Sequence, residues 1–182
     1  MTLGERFLRW RATRGYGVHS PTAYRLLRNV VKPSPKFMYY GEEKLELQPD
    51  LNRKVARRAR ILLRLTAELQ PASVWISADT PPVYAEAIRM AGGVVRIYDG
   101  ALYPDKMAKA DLIVAERFKL TKTILRKVMV PGKTLVGFDI TPRYMSNVIG
   151  LMEGGVILEA RKSIIAVNTR DKDTHLYIIT PF

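Results

Sequence analysis

Four carboxylates sit where short apolar runs of this chain end, and they are the residues best placed by type and spacing to do chemistry. Asp79 follows Val74-Trp75-Ile76, Asp99 closes the run Val94 to Tyr98, Glu116 follows Asp111 to Ala115, and Asp139 follows Thr134 to Phe138. If those runs are neighbouring strands of one parallel sheet, their ends share a crevice. A carboxylate there can accept from a substrate hydroxyl, act as a base or help hold a cation. Two carboxylates without a third oxygen ligand make a poor metal site, so no metal is expected. The competing reading makes Asp79, Asp99, Glu116 and Asp139 turn and cap residues. His19 could be a general base, but Ser20-Pro21 directly after it favours a structural place at a helix entrance. His175 is expected to be exposed on a strand. The chain has no cysteine, which removes disulfides, thiolate metal sites and thiol nucleophiles. It offers no Ser-His-Asp order, phosphate-binding loop or zinc spacing.

The second feature is charge. Thirty Lys and Arg stand against 17 Asp and Glu, a formal net charge of +13, concentrated in residues 1–60. Arg53, Arg57, Arg60 and Arg64 recur at three- and four-residue steps, which on a helix makes a cationic stripe. Such a stripe suits an anionic partner, nucleic acid first, or else a solvated face that keeps the protein soluble.

The elements that must position these residues follow from periodicity. Thr2 to Thr13 carries Leu3, Phe7, Leu8 and Trp10 at helical spacing with arginines between them. Ser20-Pro21 starts a second helix with Leu26, Leu27, Val30 and Val31 on its apolar stripe, ended by Pro33 and Pro35. Residues 36–49, with Tyr39, Tyr40 and Gly41, read as irregular. A long helix is predicted over 50–69, with Leu51, Val55, Ala59, Leu62 and Leu63 on one face. Strands are predicted at 74–76, 94–98, 111–115 and 134–138, and helices over 82–90, around Leu120, Ile124 and Val128, and over 142–152. Two last strands, 163–167 and 175–179, are expected to be joined by the polar turn 168–174. The alternation implies an α/β domain over 50–182, with a mostly parallel sheet and one antiparallel strand. Residues 1–49 form a helical, basic N-terminal extension. No apolar run approaches the ~20 residues that cross a bilayer, and no membrane partner is expected. A cytoplasmic location is the default.

Three stretches together resemble the class I S-adenosylmethionine-dependent methyltransferase-like family, as a shortened, divergent member common in one bacterial phylum. They are Gly15-Tyr16-Gly17-Val18-His19-Ser20-Pro21, the run Ile61 to Leu65 through Pro71 into Val74, and the tail from Phe138-Asp139-Ile140 through Ser163 to Phe182. The resemblance implies a Rossmann-like methyltransferase fold with the cofactor across the strand ends. It assigns the cofactor to Ser77, Ala78, Asp79 and Asp99, and the catalytic acid–base positions to Glu116 and Asp139. Departures from the pattern are pronounced. The loop Ser77 to Pro82 has no glycine for close backbone approach and has two prolines without amide donors. The family's paired aspartates are Phe138-Asp139 here, and its His-Trp is Thr141-Pro142. Only 11 residues separate Asp99 from Asp111, too few for a helix, a third strand and their turns, so the third-strand region is expected to be missing.

Three functions stay open on the sequence. The first is a methyltransferase-like protein with a degenerate site, S-adenosylmethionine lost, that acts by binding. The second is an active methyltransferase with an atypical cofactor pose. The third is a nucleic-acid-binding module using Arg53, Arg57, Arg60 and Arg64 together with the basic N-terminal helices. A sheet edge bared by the missing strand would invite a homodimer.

Overall fold

The computed structural model describes residues 2–33, 42–46, 51–92, 95–100, 104–117, 120–169 and 173–180. Seven strands form one mixed sheet: β1 (Ser73–Ser77), β2 (Arg96–Gly100), β3 (Leu112–Glu116), β4 (Thr134–Phe138), β5 (Gly155–Ala160), β6 (Ser163–Val167) and β7 (Thr174–Ile178), in the order β2-β1-β3-β4-β6-β5-β7. Only β6 runs antiparallel to its neighbours β4 and β5. The order reverses between β1 and β3, and a crevice opens outside the carboxyl ends of parallel strands at such a point.

Both faces of the sheet are covered. Val74, Ile76, Leu112, Val114, Val136 and Phe138 face a core built with α2 (Pro21–Leu26), α4 (Arg53–Leu69) and α5 (Pro82–Met90). Trp75, Ile113 and Leu135 face the other core, with α6 (Pro104–Lys109), α7 (Lys122–Val128) and α8 (Pro142–Ile149). Burial on two faces is why these strands read as continuous apolar runs and not as alternation.

The N-terminal helices are fixed by their caps. In α1 (Leu3–Thr13), Glu5 N–H donates to Thr2 Oγ1 and Thr2 N–H to Glu5 Oε2, a reciprocal capping box. Ser20 Oγ accepts from Ala23 N–H, and Pro21 takes the first position of α2, as the sequence predicts. The chain runs on from α2 through a π-helical turn, Leu27–Val31, and Leu26, Leu27 and Val30 are fully buried in the main core. A short helix, α3 (Glu42–Glu46), lies within the segment expected to be irregular; Tyr39, Tyr40 and Gly41 are outside the described residues.

Two expectations about the sheet are corrected. The closing hairpin is β5–β6, joined at Arg161-Lys162, and β5 was not anticipated. The expected partner, β7, lies beyond β5 and pairs parallel to it. The reason is burial: β6 is apolar on both faces and has paired neighbours on both edges, whereas β7 alternates half-buried and exposed residues, as an edge strand does. The shortened connection between β2 and β3 holds, among the described residues, one helix and no strand, so β2 ends the sheet on that side.

Gly155 opens β5 with φ +106°, and an added Cβ would stand 2.2 Å from the Val167 carbonyl oxygen. Gly155→Ala is expected to destabilise the fold by about 2 kcal/mol or more, read as a lower urea midpoint, because the position requires glycine and has no space for a methyl group.

Candidate functional site

Asp139 and Glu116, the two carboxylates expected to carry catalysis, are brought together, and an arginine lies between them. Arg58 is 2% exposed and projects from α4 beneath the ends of β3 and β4. Its Nη1 donates to Glu116 Oε1 at 2.9 Å and to Asp139 Oδ2 at 2.9 Å, and its Nη2 donates to Asp139 Oδ1 at 2.8 Å. The guanidinium packs on the Phe138 ring at 4.9 Å, and Tyr84 meets that ring edge-on at 5.6 Å. Lys54, one turn earlier on α4, donates to both oxygens of Asp139 at 2.8 and 2.9 Å.

Local backbone geometry places the carboxylates. Glu116 and Phe138 are partners in the β3–β4 register. The residue after each strand is left-handed, Arg117 at φ +54° and Asp139 at φ +52°, a conformation an aspartate tolerates better than most side chains. Arg117 N–H donates back to the Phe138 carbonyl at 2.9 Å and Ile140 N–H to the Lys162 carbonyl at 3.1 Å, which ties both strand ends and the β5–β6 turn into one rim.

The electrostatics are those of a clamp. The hydrogen bonds from Arg58 come first, and with Lys54 they outweigh desolvation, so the Asp139 carboxyl is held well below the usual carboxylate range. Burial alone would lower the Arg58 pKa, but its hydrogen bonds and the nearby charges raise it further. Burial, then the Glu116 charge, pushes the Tyr84 hydroxyl far above the usual phenol range, although Arg58 opposes this. Tyr84 Oη, Arg58 Nε and Glu116 Oε2 are buried and carry no hydrogen bond. With both oxygens of Asp139 held by cationic donors, Asp139 makes a weak base, and Glu116 spends one oxygen on Arg58. What this arrangement does well is bind α4 to the strand ends.

The positions that the resemblance assigns to the cofactor are occupied differently. Ser77 is buried, and its Oγ accepts from Glu116 N–H at 3.3 Å. Ala78 and Asp79 are exposed. Thr80 closes the turn on itself, donating from its amide at 3.1 Å and its hydroxyl at 2.7 Å to the Ser77 carbonyl. At the head of α5, Pro81 and Pro82 offer no amide, and Tyr84 N–H is spent on the Pro81 carbonyl. A cavity of about 320 Å³ beside this turn is lined by both apolar and polar groups, among them Ile76, Ala85, Ile97, Thr80 and Arg89. The backbone of Asp99 lies in β2 opposite Ile76, and its side chain lies outside the described residues. A second cavity of about 290 Å³ lies over the clamp, between Lys54, Asp139, Arg161, Lys162 and Ser163. Among the described residues no three His, Asp or Glu side chains are grouped to hold a metal.

The arginine stripe is shorter than the spacing implies. Arg53 and Arg57 are exposed, and Arg60 is half-buried. Burial, then Arg60 and Arg53, lower the Arg57 pKa, so these three cations crowd one another on α4. Arg64 does not join them: its Nε and Nη2 bind the Glu42 carboxylate at 2.8 and 2.5 Å, and its Nη1 the Val30 carbonyl, because it faces α3 and the π turn. His19 is exposed ahead of the α2 cap, and His175 is half-buried beside the Tyr177 ring, not exposed as expected.

Sequence reasoning did not single out Arg58, Lys54 or Tyr84. A signal for Arg58 was present: it falls in the row Val55, Arg58, Leu62, Leu65 along the buried side of α4, and a charge in such a row needs a buried partner.

Arg58→Met should cost about 3–5 kcal/mol, read as a fall in the urea midpoint, because Glu116 would be left buried without its cation and Asp139 would keep only Lys54. The Asp139 pKa is depressed on folding, so its contribution is fully present above the unfolded value of about 4 and is lost as pH falls below it. Asp139→Asn is therefore expected to flatten the stability profile below pH ~4 relative to the parent, in a series of urea melts across pH.

Comparison of the chain with family models, with curated proteins and with solved structures finds no match.

Proposed function

We propose that this chain is a methyltransferase-like protein with a Rossmann-like methyltransferase fold, in which the cofactor and catalytic positions now hold the fold together, so that it acts by binding and not by methyl transfer. The observation that carries this reading is the Arg58 clamp: both candidate catalytic carboxylates are paired to one buried guanidinium. The single antiparallel strand and, among the described residues, a connection from β2 to β3 that holds one helix and no strand agree with a shortened member of that family.

The residues present do not fit S-adenosylmethionine. A zwitterionic amino acid group is favoured by backbone donors and glycine at the turn after β1, whereas this turn holds two prolines, a self-satisfied Thr80, the carboxylate of Asp79 and no glycine. The adjoining cavity, at about 320 Å³, is near the lower end of the ~300–1,000 Å³ typical of ligand pockets.

Nucleic acid is the partner class that the crowded cations favour. The charge of Arg57 is opposed by those of Arg60 and Arg53, a cost that an array of phosphates would relieve. Arg64 is not part of that surface.

Calorimetric titration with S-adenosylmethionine is expected to give no heat, and a thermal-shift assay no change, up to millimolar ligand. Saturable binding that Asp99→Ala abolishes would overturn the reading in favour of an active enzyme with an unusual cofactor pose. Fluorescence anisotropy with a short RNA or DNA tests the partner class. Three phosphate contacts predict a loss of affinity of about 20- to 40-fold between 50 and 200 mM salt, and the triple change Arg53→Glu, Arg57→Glu, Arg60→Glu should abolish binding.

A further inference from the structure

Among the described residues, four exposed large apolar side chains are gathered on one helix that the rest of the fold barely touches. Leu3 is 87% exposed, Phe7 55%, Leu8 64% and Trp10 40%, all in α1. Residues 2–8 are exposed throughout, and α1 is held by its last turn, where Thr13 is buried and its hydroxyl meets Thr180 Oγ1 at 3.1 Å and accepts from Thr180 N–H at 3.0 Å. A helix of 11 residues is too short to be stable in water on its own, so its exposed stripe calls for a cover.

The stripe has a definite form. Leu3, Phe7 and Trp10 stand at i, i+4 and i+7 on one side of α1, Arg9 and Ala12 mark the other side, and the exposed Leu8 lies outside the stripe. At 100° per residue, Arg6 and Arg11 fall about 70° to either side of the stripe. Phe7 and Trp10 stack with ring centroids 5.8 Å apart; Arg14 lies over Trp10 at 4.4 Å and Arg11 over Phe7 at 5.9 Å. The feature is therefore an apolar strip between cations, and its cover must be apolar and anionic together. Nucleic acid supplies phosphates but no bed for Leu3. A second copy would set the arginines of one α1 against those of the other. A bilayer with anionic headgroups supplies both halves, with the phosphates at the level of the guanidinium groups and the acyl boundary beneath them.

We propose that α1 is an interfacial helix that seats this protein on the surface of an anionic bilayer. Leu3, Phe7 and Trp10 enter the boundary between headgroups and acyl chains, and Arg6, Arg11 and Arg14 engage lipid phosphates. No spanning segment is required, and among the described residues no helix is long and apolar enough to cross a membrane. The surface is separate from Arg53, Arg57 and Arg60 on α4 and from the strand-end crevice, so it stands or falls apart from the function proposed above.

The test is vesicle flotation of the full chain with phosphatidylcholine containing 30% phosphatidylglycerol and with phosphatidylcholine alone, at ~100 mM salt. The expected result is flotation with the anionic vesicles and little with the neutral ones. The chain has two tryptophans and Trp75 is 2% exposed in the core, so a blue shift and quenching by brominated acyl chains report on Trp10. Phe7→Asp is expected to lower vesicle partitioning at least 10-fold and to leave the melting temperature unchanged, because its side chain is exposed. Arg6→Glu with Arg11→Glu should remove the preference for anionic lipid. Adsorption by net charge alone would leave Trp10 emission unaltered and survive Phe7→Asp, and either result overturns the proposal. So does a protein that stays in the aqueous phase, including one that light scattering shows to be a dimer dissociated by Phe7→Asp.

Discussion

A guanidinium withdrawn from water under the ends of two adjacent strands sets the terms for the rest of this molecule. Taking an arginine and a carboxylate out of solvent costs several kcal/mol for each ion, and only near-ideal geometry offsets that cost. Arg58 meets the condition with a two-pronged pairing to Asp139, a further bond to Glu116 and the face of Phe138. The geometry holds only if α4 keeps its rotation, β3 and β4 keep their register, and the chain turns left-handed directly after each strand. The unpartnered Arg58 Nε, Glu116 Oε2 and Tyr84 hydroxyl leave part of the desolvation cost unrecovered. Such a knot adds specificity more than stability: other packings of α4 would bury the same charge without its partners.

That specificity has a functional consequence. The crevice at the reversal of strand order is where folds of this architecture expose reactive groups. Here the groups that could react are turned toward one another. Ser77 supports the Glu116 amide, Thr80 closes its own turn, and Pro81 and Pro82 silence the head of α5.

Helices α1 and α4 share a basic character but differ in kind. The cations of α4 crowd beside a helix whose apolar face is fully committed to the core. The cations of α1 flank an apolar strip committed to nothing else in the chain. The first surface is cationic alone, and the second is cationic and apolar together.

Local chemistry was legible in the sequence wherever it depended on near neighbours. Ser20-Pro21 named the start of α2, Pro82 to Met90 gave α5 to the residue, and the apolar runs gave β4 and β6 their bounds. The short stretch before Asp111 also fixed how little could be built there, since chain length limits what elements can fit. Pairing was not legible, because strand order depends on which edges need cover and not on order along the chain; hence β5 intervened between β6 and β7. The fate of the charges was not legible either. Glu116, Asp139 and Arg64 read as available side chains, and each was taken up by a residue 22 to 81 positions away, Arg58 or Glu42. An ion pair is decided by distance in space and by the water removed around it, and only the packing of α4 against the strand ends settles both.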